Sequence, residues 1–178
     1  MQAQLREKLT RKEEDLEDLL TSNVFGSAKY VPSEDALLPL LATSIDMNGN
    51  APCIPVGTVS SVKYQFWPWI QEQGCKGCEP DVLVRVQFSN GKKMTMFIEA
   101  KYRSDKSSEA TDAGSPTDQL AREWDNLACL AARENAMPFL LYITADMGLP
   151  SDSIAASRQE YARKQKKDMN IFWISGES

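Results

Sequence analysis

Apolar and β-branched positions fall into runs whose spacing changes along the chain, and each change predicts an element. From about Gln2 to Val24, Leu5, Leu9, Leu16 and Leu20 share one narrow stripe at helical spacing, which predicts a surface helix with one buried face, ended by Gly26. Glu13 and Glu17 border that stripe, Glu13 slightly deeper, while Glu14, Asp15 and Asp18 point away. A short apolar helix is expected over Glu34–Thr43 despite Pro39, followed by a Gly- and Pro-containing loop from Asn48 to Gly57. Alternation at Val62, Tyr64 and Phe66 then predicts a strand over Val59–Trp69. Two denser apolar runs, Val82–Phe88 and Met94–Ile98, flank Ser89-Asn90-Gly91-Lys92, a strong signal for an antiparallel hairpin.

The segment Tyr102–Pro116 is polar and aperiodic, as expected of a loop. Thr117-Asp118 can cap a helix reaching about Asn135, with Leu120, Trp124, Leu127, Ala128 and Ala131 at helical period, and Pro138 ends that pattern. Phe139–Thr144 predicts a buried central strand, Ser151–Lys167 a polar helix, and Asn170–Ser175 a last strand. The order is helix, three strands, helix, strand, helix, strand. It predicts an α/β fold, a mixed β-sheet flanked by helices with an antiparallel start and a parallel second half, in a single domain spanning 1–178.

Composition narrows the chemistry. A hydrophobic fraction of 42% over 178 residues fits one globular domain with a real core. No apolar stretch nears the roughly 18 residues of a membrane span, and the N-terminal residues lack the apolar core of a signal peptide. A cytoplasmic location with no membrane partner is the resulting expectation. The four cysteines are too sparse for a disulfide scaffold. Histidine is absent, which removes Ser-His-Asp triads, His-based zinc hydrolases and histidine-base nucleases, and leaves carboxylate, lysine and metal chemistry. A net charge of −5 argues against a surface that attracts nucleic acid everywhere, while leaving room for a local basic patch.

Within that chemistry Pro80-Asp81 and Glu99-Ala100-Lys101 stand out, because the hairpin folds Asp81 back against Glu99. Alternation puts Glu99 and Lys101 on one face, roughly 6 to 7 Å apart along the strand. Oxygen-ligated Mg²⁺, or Mn²⁺ in its place, suits such a set. Asp81 and Glu99 would hold it, the Ala100 carbonyl could add a ligand, and Lys101 would orient a water or offset phosphate charge. The simpler alternative is a cross-strand ion pair on a solvated face, worth about 0.2 to 1 kcal/mol.

These residues resemble the PD-(D/E)XK nuclease superfamily, with a restriction endonuclease-like core of helix, three-stranded meander, helix and strand. The motif stands here as Pro80-Asp81 with Glu99-Ala100-Lys101. Glu17–Gly26 looks like the N-terminal helix of many members, whose metal-reaching glutamate maps to Glu17. Gln119 is similar to the glutamine that many members place near the scissile phosphate, and Ile171–Ser175 looks like a terminal strand of the superfamily. The resemblance implies a metal-dependent nuclease with catalytic residues Asp81, Glu99, Lys101, Glu17 and Gln119. It implies metal ligands among Asp81, Glu99, Ala100 and Glu17 and a DNA substrate, with RNA not excluded. A homodimer or a protein partner is compatible with it, and a catalytically silent binding module of the same fold is the alternative.

Three other features have plainer readings. Cys75-x-x-Cys78 lacks the second pair or the histidines of a structural zinc site, so two turn residues are expected. Phe66-Trp67-Pro68-Trp69 fits packing better than base stacking, and Arg163-Lys164-Gln165-Lys166-Lys167 fits a solvated helix face.

Overall fold

A computed structural model describes residues 12–101, 116–165 and 167–176; the side chains of residues 12–18 and 20 lie outside the described set. The elements are α1 (Lys12–Ala28), α2 (Leu37–Thr43), β1 (Val59–Phe66), β2 (Val82–Phe88), β3 (Lys93–Lys101), α3 (Gln119–Glu134), β4 (Met137–Thr144), α4 (Ser151–Gln165) and β5 (Ile171–Ser175). One five-stranded sheet runs in the order β1-β2-β3-β4-β5. The first two pairings are antiparallel and the last two parallel, as alternation of strands and helices after β3 requires.

Burial separates the two faces of the sheet. Leu83, Phe97, Leu140, Ile171 and Trp173 pack with Leu120, Leu127 and Leu130 of α3 and Ile154 and Tyr161 of α4. Val82, Val84, Met94, Met96, Ile98, Phe139 and Phe172 pack with Phe25 of α1 and Leu37 and Leu41 of α2. The alternation along β3 sends Met96 and Ile98 one way and Phe97 the other, and Glu99 and Lys101 follow Phe97 toward α3.

The β2–β3 hairpin closes through a three-residue loop. Gly91 N–H donates to the Phe88 carbonyl at 3.0 Å and Phe88 N–H to the Lys92 carbonyl at 2.9 Å. Gly91 takes φ +82°, the left-handed conformation glycine adopts without steric cost, and Val82 thereby falls opposite Ile98.

Several boundaries differ from the sequence expectation. Gly26 does not end α1, which continues to Ala28; it sits in the last turn, where fewer helical bonds depend on it. The second helix begins at Leu37, since Glu34–Ala36 form turns. β1 stops at Phe66 because Trp67 turns to φ +47° and donates its N–H to the Asp81 carbonyl at 2.9 Å. α3 ends at Glu134, close to the expected boundary, but β4 begins at Met137 instead of Phe139, so Pro138 lies inside the strand. β4 pairs with β5 only from Leu140 onward, so the proline's missing N–H falls at the strand start. The expected Tyr102–Pro116 loop falls outside the described residues except for Pro116.

Candidate active site

Asp81, Glu99, Lys101 and Gln119 come together at the carboxyl end of β3, beside the start of α3. Open α/β sheets commonly place ligands at this end of their parallel strands. The Asp81 backbone is held by Trp67, and its Oδ2 accepts the Ala100 N–H at 2.8 Å. The loop leading into Asp81 is pinned by reciprocal bonds of 2.8 Å between Ile70 and Cys78. Asn126 of α3 grips the same loop: its Oδ1 accepts Glu72 N–H at 2.9 Å and its Nδ2 donates to the Lys76 carbonyl at 2.7 Å. Trp69 is exposed, and its indole covers Gly77 so closely that any Cβ there would collide with it.

Glu99 is 1% exposed and pairs with Lys101 Nζ through Oε1 at 2.8 Å. Gln119 Nε2 donates to the same oxygen at 2.5 Å. A solvated surface ion pair therefore does not describe Glu99 and Lys101. Asp81, Ala100 and Lys101 are half-buried and form the accessible margin of the cluster, whereas Glu99 and Gln119 lie inside it. Tyr142 stands opposite Glu99 in the parallel register, and burial pushes its hydroxyl up to about 12.

Gln119 opens α3, whose N-cap is Asp118; the cap carboxylate accepts Ala121 N–H at 3.1 Å. The approach to the helix is fixed by Glu160 of α4, whose Oε1 accepts Thr117 N–H at 2.6 Å and Thr117 Oγ1 at 2.9 Å. Burial alone would raise the Glu160 carboxyl, but these donors, with Asp118 N–H and Lys164, bring it down to about 2.

Sequence reasoning missed Glu123. One helical turn after Gln119 and one before Leu127, it is a charged residue on the buried stripe of α3, and that spacing was the available signal. It is 1% exposed, and its Oε1 accepts Gln119 Nε2 at 3.0 Å. Burial pushes its carboxyl well above the usual range and Glu99 adds to the rise, against the opposing Gln119 bond. The side chains of Glu13 and Glu17 lie outside the described residues.

The donor chemistry fits a hard divalent cation. Glu99 Oε2 and Glu123 Oε2 are buried oxygens with no hydrogen-bond partner, and carboxylate oxygens are what Mg²⁺ takes. Among the described residues, no three His, Cys, Asp or Glu side chains form a ready-made cage. That is compatible with Mg²⁺, which commonly uses one or two carboxylates and fills its remaining positions with water and phosphate.

Comparison with protein-family models, curated proteins and solved structures returns no match. Among the described residues no helix is long and apolar enough to cross a membrane.

Cys75 lies in the turn the sequence predicts, its N–H donating to the Glu72 carbonyl at 3.0 Å, and Cys78 follows in the bridge to Ile70. Cys75 and Cys78 are both buried, and Cys75 Sγ lies 3.6 Å from Cys129 Sγ of α3, while Cys53 and Cys129 are exposed. Burial pushes the Cys75 and Cys78 thiols up, away from the reactive thiolate. Alkylation of the native chain, read by peptide mass spectrometry, should label Cys53 and Cys129 at least about 100-fold faster than Cys75 and Cys78. Four equal rates would contradict this burial. A groove of about 820 Å³ lies apart from the acidic cluster, between Ala28–Glu34 and β1.

Proposed function

We propose that the chain is a divalent-metal-dependent nuclease of the PD-(D/E)XK type that hydrolyses phosphodiester bonds in DNA. The observation that carries this reading is Glu99: a buried carboxylate with one oxygen on Lys101 and the other without a partner, beside Asp81 at the end of the sheet. Stability alone gives little reason to bury a charge in this way.

Asp81 and Glu99 would hold Mg²⁺, or Mn²⁺ in its place, with the Ala100 carbonyl alongside. When bound, the ion supplies positive charge to the phosphate and acidifies water. The Lys101 ammonium lies at the accessible margin, where it can donate to a phosphate oxygen while holding Glu99 in place. Gln119 fixes the Glu99 carboxylate from the α3 side, and burial keeps bulk water off that carboxylate. Asp81 is held by two backbone N–H groups, so both carboxylates are oriented before substrate arrives. The reaction proposed is attack by water with no covalent enzyme intermediate.

Incubation of plasmid DNA, linear DNA and RNA with Mg²⁺ or chelator tests the reading. Wild type should cleave DNA only with the metal, and Asp81→Asn should lose about 100-fold or more of that rate. Equal cleavage by the variant would remove Asp81 from the site. Failure on every substrate with both Mg²⁺ and Mn²⁺ would replace the enzyme with a binding module of the same fold.

A further inference from the structure

Glu123 has no part in the reading above, which takes its carboxylates from the entry to β2 and the end of β3. It nonetheless meets Glu99 across the interface between α3 and the sheet. The Gln119 amide nitrogen lies between them, 2.5 Å from Glu99 Oε1 and 3.0 Å from Glu123 Oε1. Both glutamates are 1% exposed, and in both the second oxygen is buried without a partner. A buried carboxylate oxygen lacking a donor is costly, and a second carboxylate close by adds repulsion. Packing alone would favour a neutral side chain at position 123, continuing the stripe that Leu127 and Leu130 occupy. The two carboxylates instead converge on a single amide N–H₂ group, whose partial positive charge sits where a small cation would satisfy both.

We propose that Glu123 is a direct ligand of the divalent cation, donated from α3 to the same ion that Glu99 holds from β3. This rests on the metal-dependent reading of the site. Glu99 and Glu123 supply the one or two carboxylates that Mg²⁺ commonly uses, and the Asp81 carboxylate stands at the accessible margin of the same cluster. Because Gln119 now fills the space between the glutamates, its amide must turn aside when the ion enters. Glu123 thus has a function that neither helix packing nor capping of α3 explains.

Mn²⁺ binding to the purified full chain, stripped of metal with chelator and followed by electron paramagnetic resonance, tests the assignment without an activity assay. Wild type should bind Mn²⁺ saturably. Glu123→Gln and Glu99→Gln should each weaken binding by more than about 100-fold, beyond the roughly 10- to 100-fold that loss of an outer-sphere partner costs. A smaller loss at position 123 would overturn direct ligation by Glu123. Asp152→Asn, on the exposed first turn of α4, should stay within about twofold of wild type. Near-wild-type affinity in Glu123→Gln alongside a large loss in Glu99→Gln overturns the inference and leaves the nuclease reading standing. Absence of saturable binding in wild type overturns both. Should Glu123→Gln not fold, Glu123→Leu, which continues the apolar stripe, decides by the same criterion.

Discussion

Lys101→Met should cut DNA cleavage by about 10²- to 10³-fold and destabilise the fold by about 3 kcal/mol, because one side chain serves both the phosphate and a buried charge. Lys101 Nζ is 2.8 Å from Glu99 Oε1, and the exposed fractions of the two side chains are 17% and 2%. Removing the ammonium leaves Glu99 with the neutral amide of Gln119 as donor, close to a second buried carboxylate. Breaking a fully buried pair costs about 3 to 5 kcal/mol, and the partial exposure of Lys101 sets the expectation at the lower end. Glu99→Gln added to Lys101→Met removes the uncompensated charge. That double variant should regain most of the lost stability, to within about 1 kcal/mol of wild type, while remaining inactive. Urea midpoints and cleavage rates for both variants separate the two effects. A loss below about 1 kcal/mol in the single variant would mean that Glu99 does not depend on Lys101 for its charge compensation.

The parts of this arrangement that were legible in the sequence are those set by local periodicity. The alternation through β2 and β3 and the glycine of the hairpin sufficed to bring Asp81, Glu99 and Lys101 to one end of the sheet, whereas Gln119 was pointed to only by the resemblance and not by the spacing of α3. Boundaries set by tertiary contacts were not legible. Trp67 ends β1 because its N–H reaches Asp81, fourteen positions later in the chain, and Pro138 is tolerated because β5 does not reach the start of β4. Glu123 was hidden for a different reason: a glutamate in a helix is ordinarily read as a solvent-facing charge. Only packing of α3 on the sheet turns that residue toward Glu99. The approach of Cys75 to Cys129 has the same origin, since it depends on how the loop before β2 lies along α3.

That dependence on α3 makes the packing beneath the site a prediction in its own right. Phe97→Ala is expected to destabilise the chain by about 3 to 5 kcal/mol and lower its melting temperature by about 10 °C. The Phe97 ring is fully buried in the cluster that joins β3 to the leucines of α3, two residues before Glu99 on the same face. Met96→Ala is the matched control: Met96 is equally buried on the opposite face, among α1 and α2 residues. Both variants should lose stability of similar size, with Met96→Ala at about 2 to 5 kcal/mol. Their effects on cleavage should diverge. Corrected for the folded fraction, Met96→Ala should keep the wild-type rate. Phe97→Ala should fall about tenfold or more, because the cavity frees α3 to shift and Gln119 and Glu123 move with it. Thermal unfolding and cleavage measured on the same preparations give both quantities. Equal cleavage per folded molecule would show that the carboxylates are placed by the sheet alone, and the contribution of α3 to the site would then have to be abandoned.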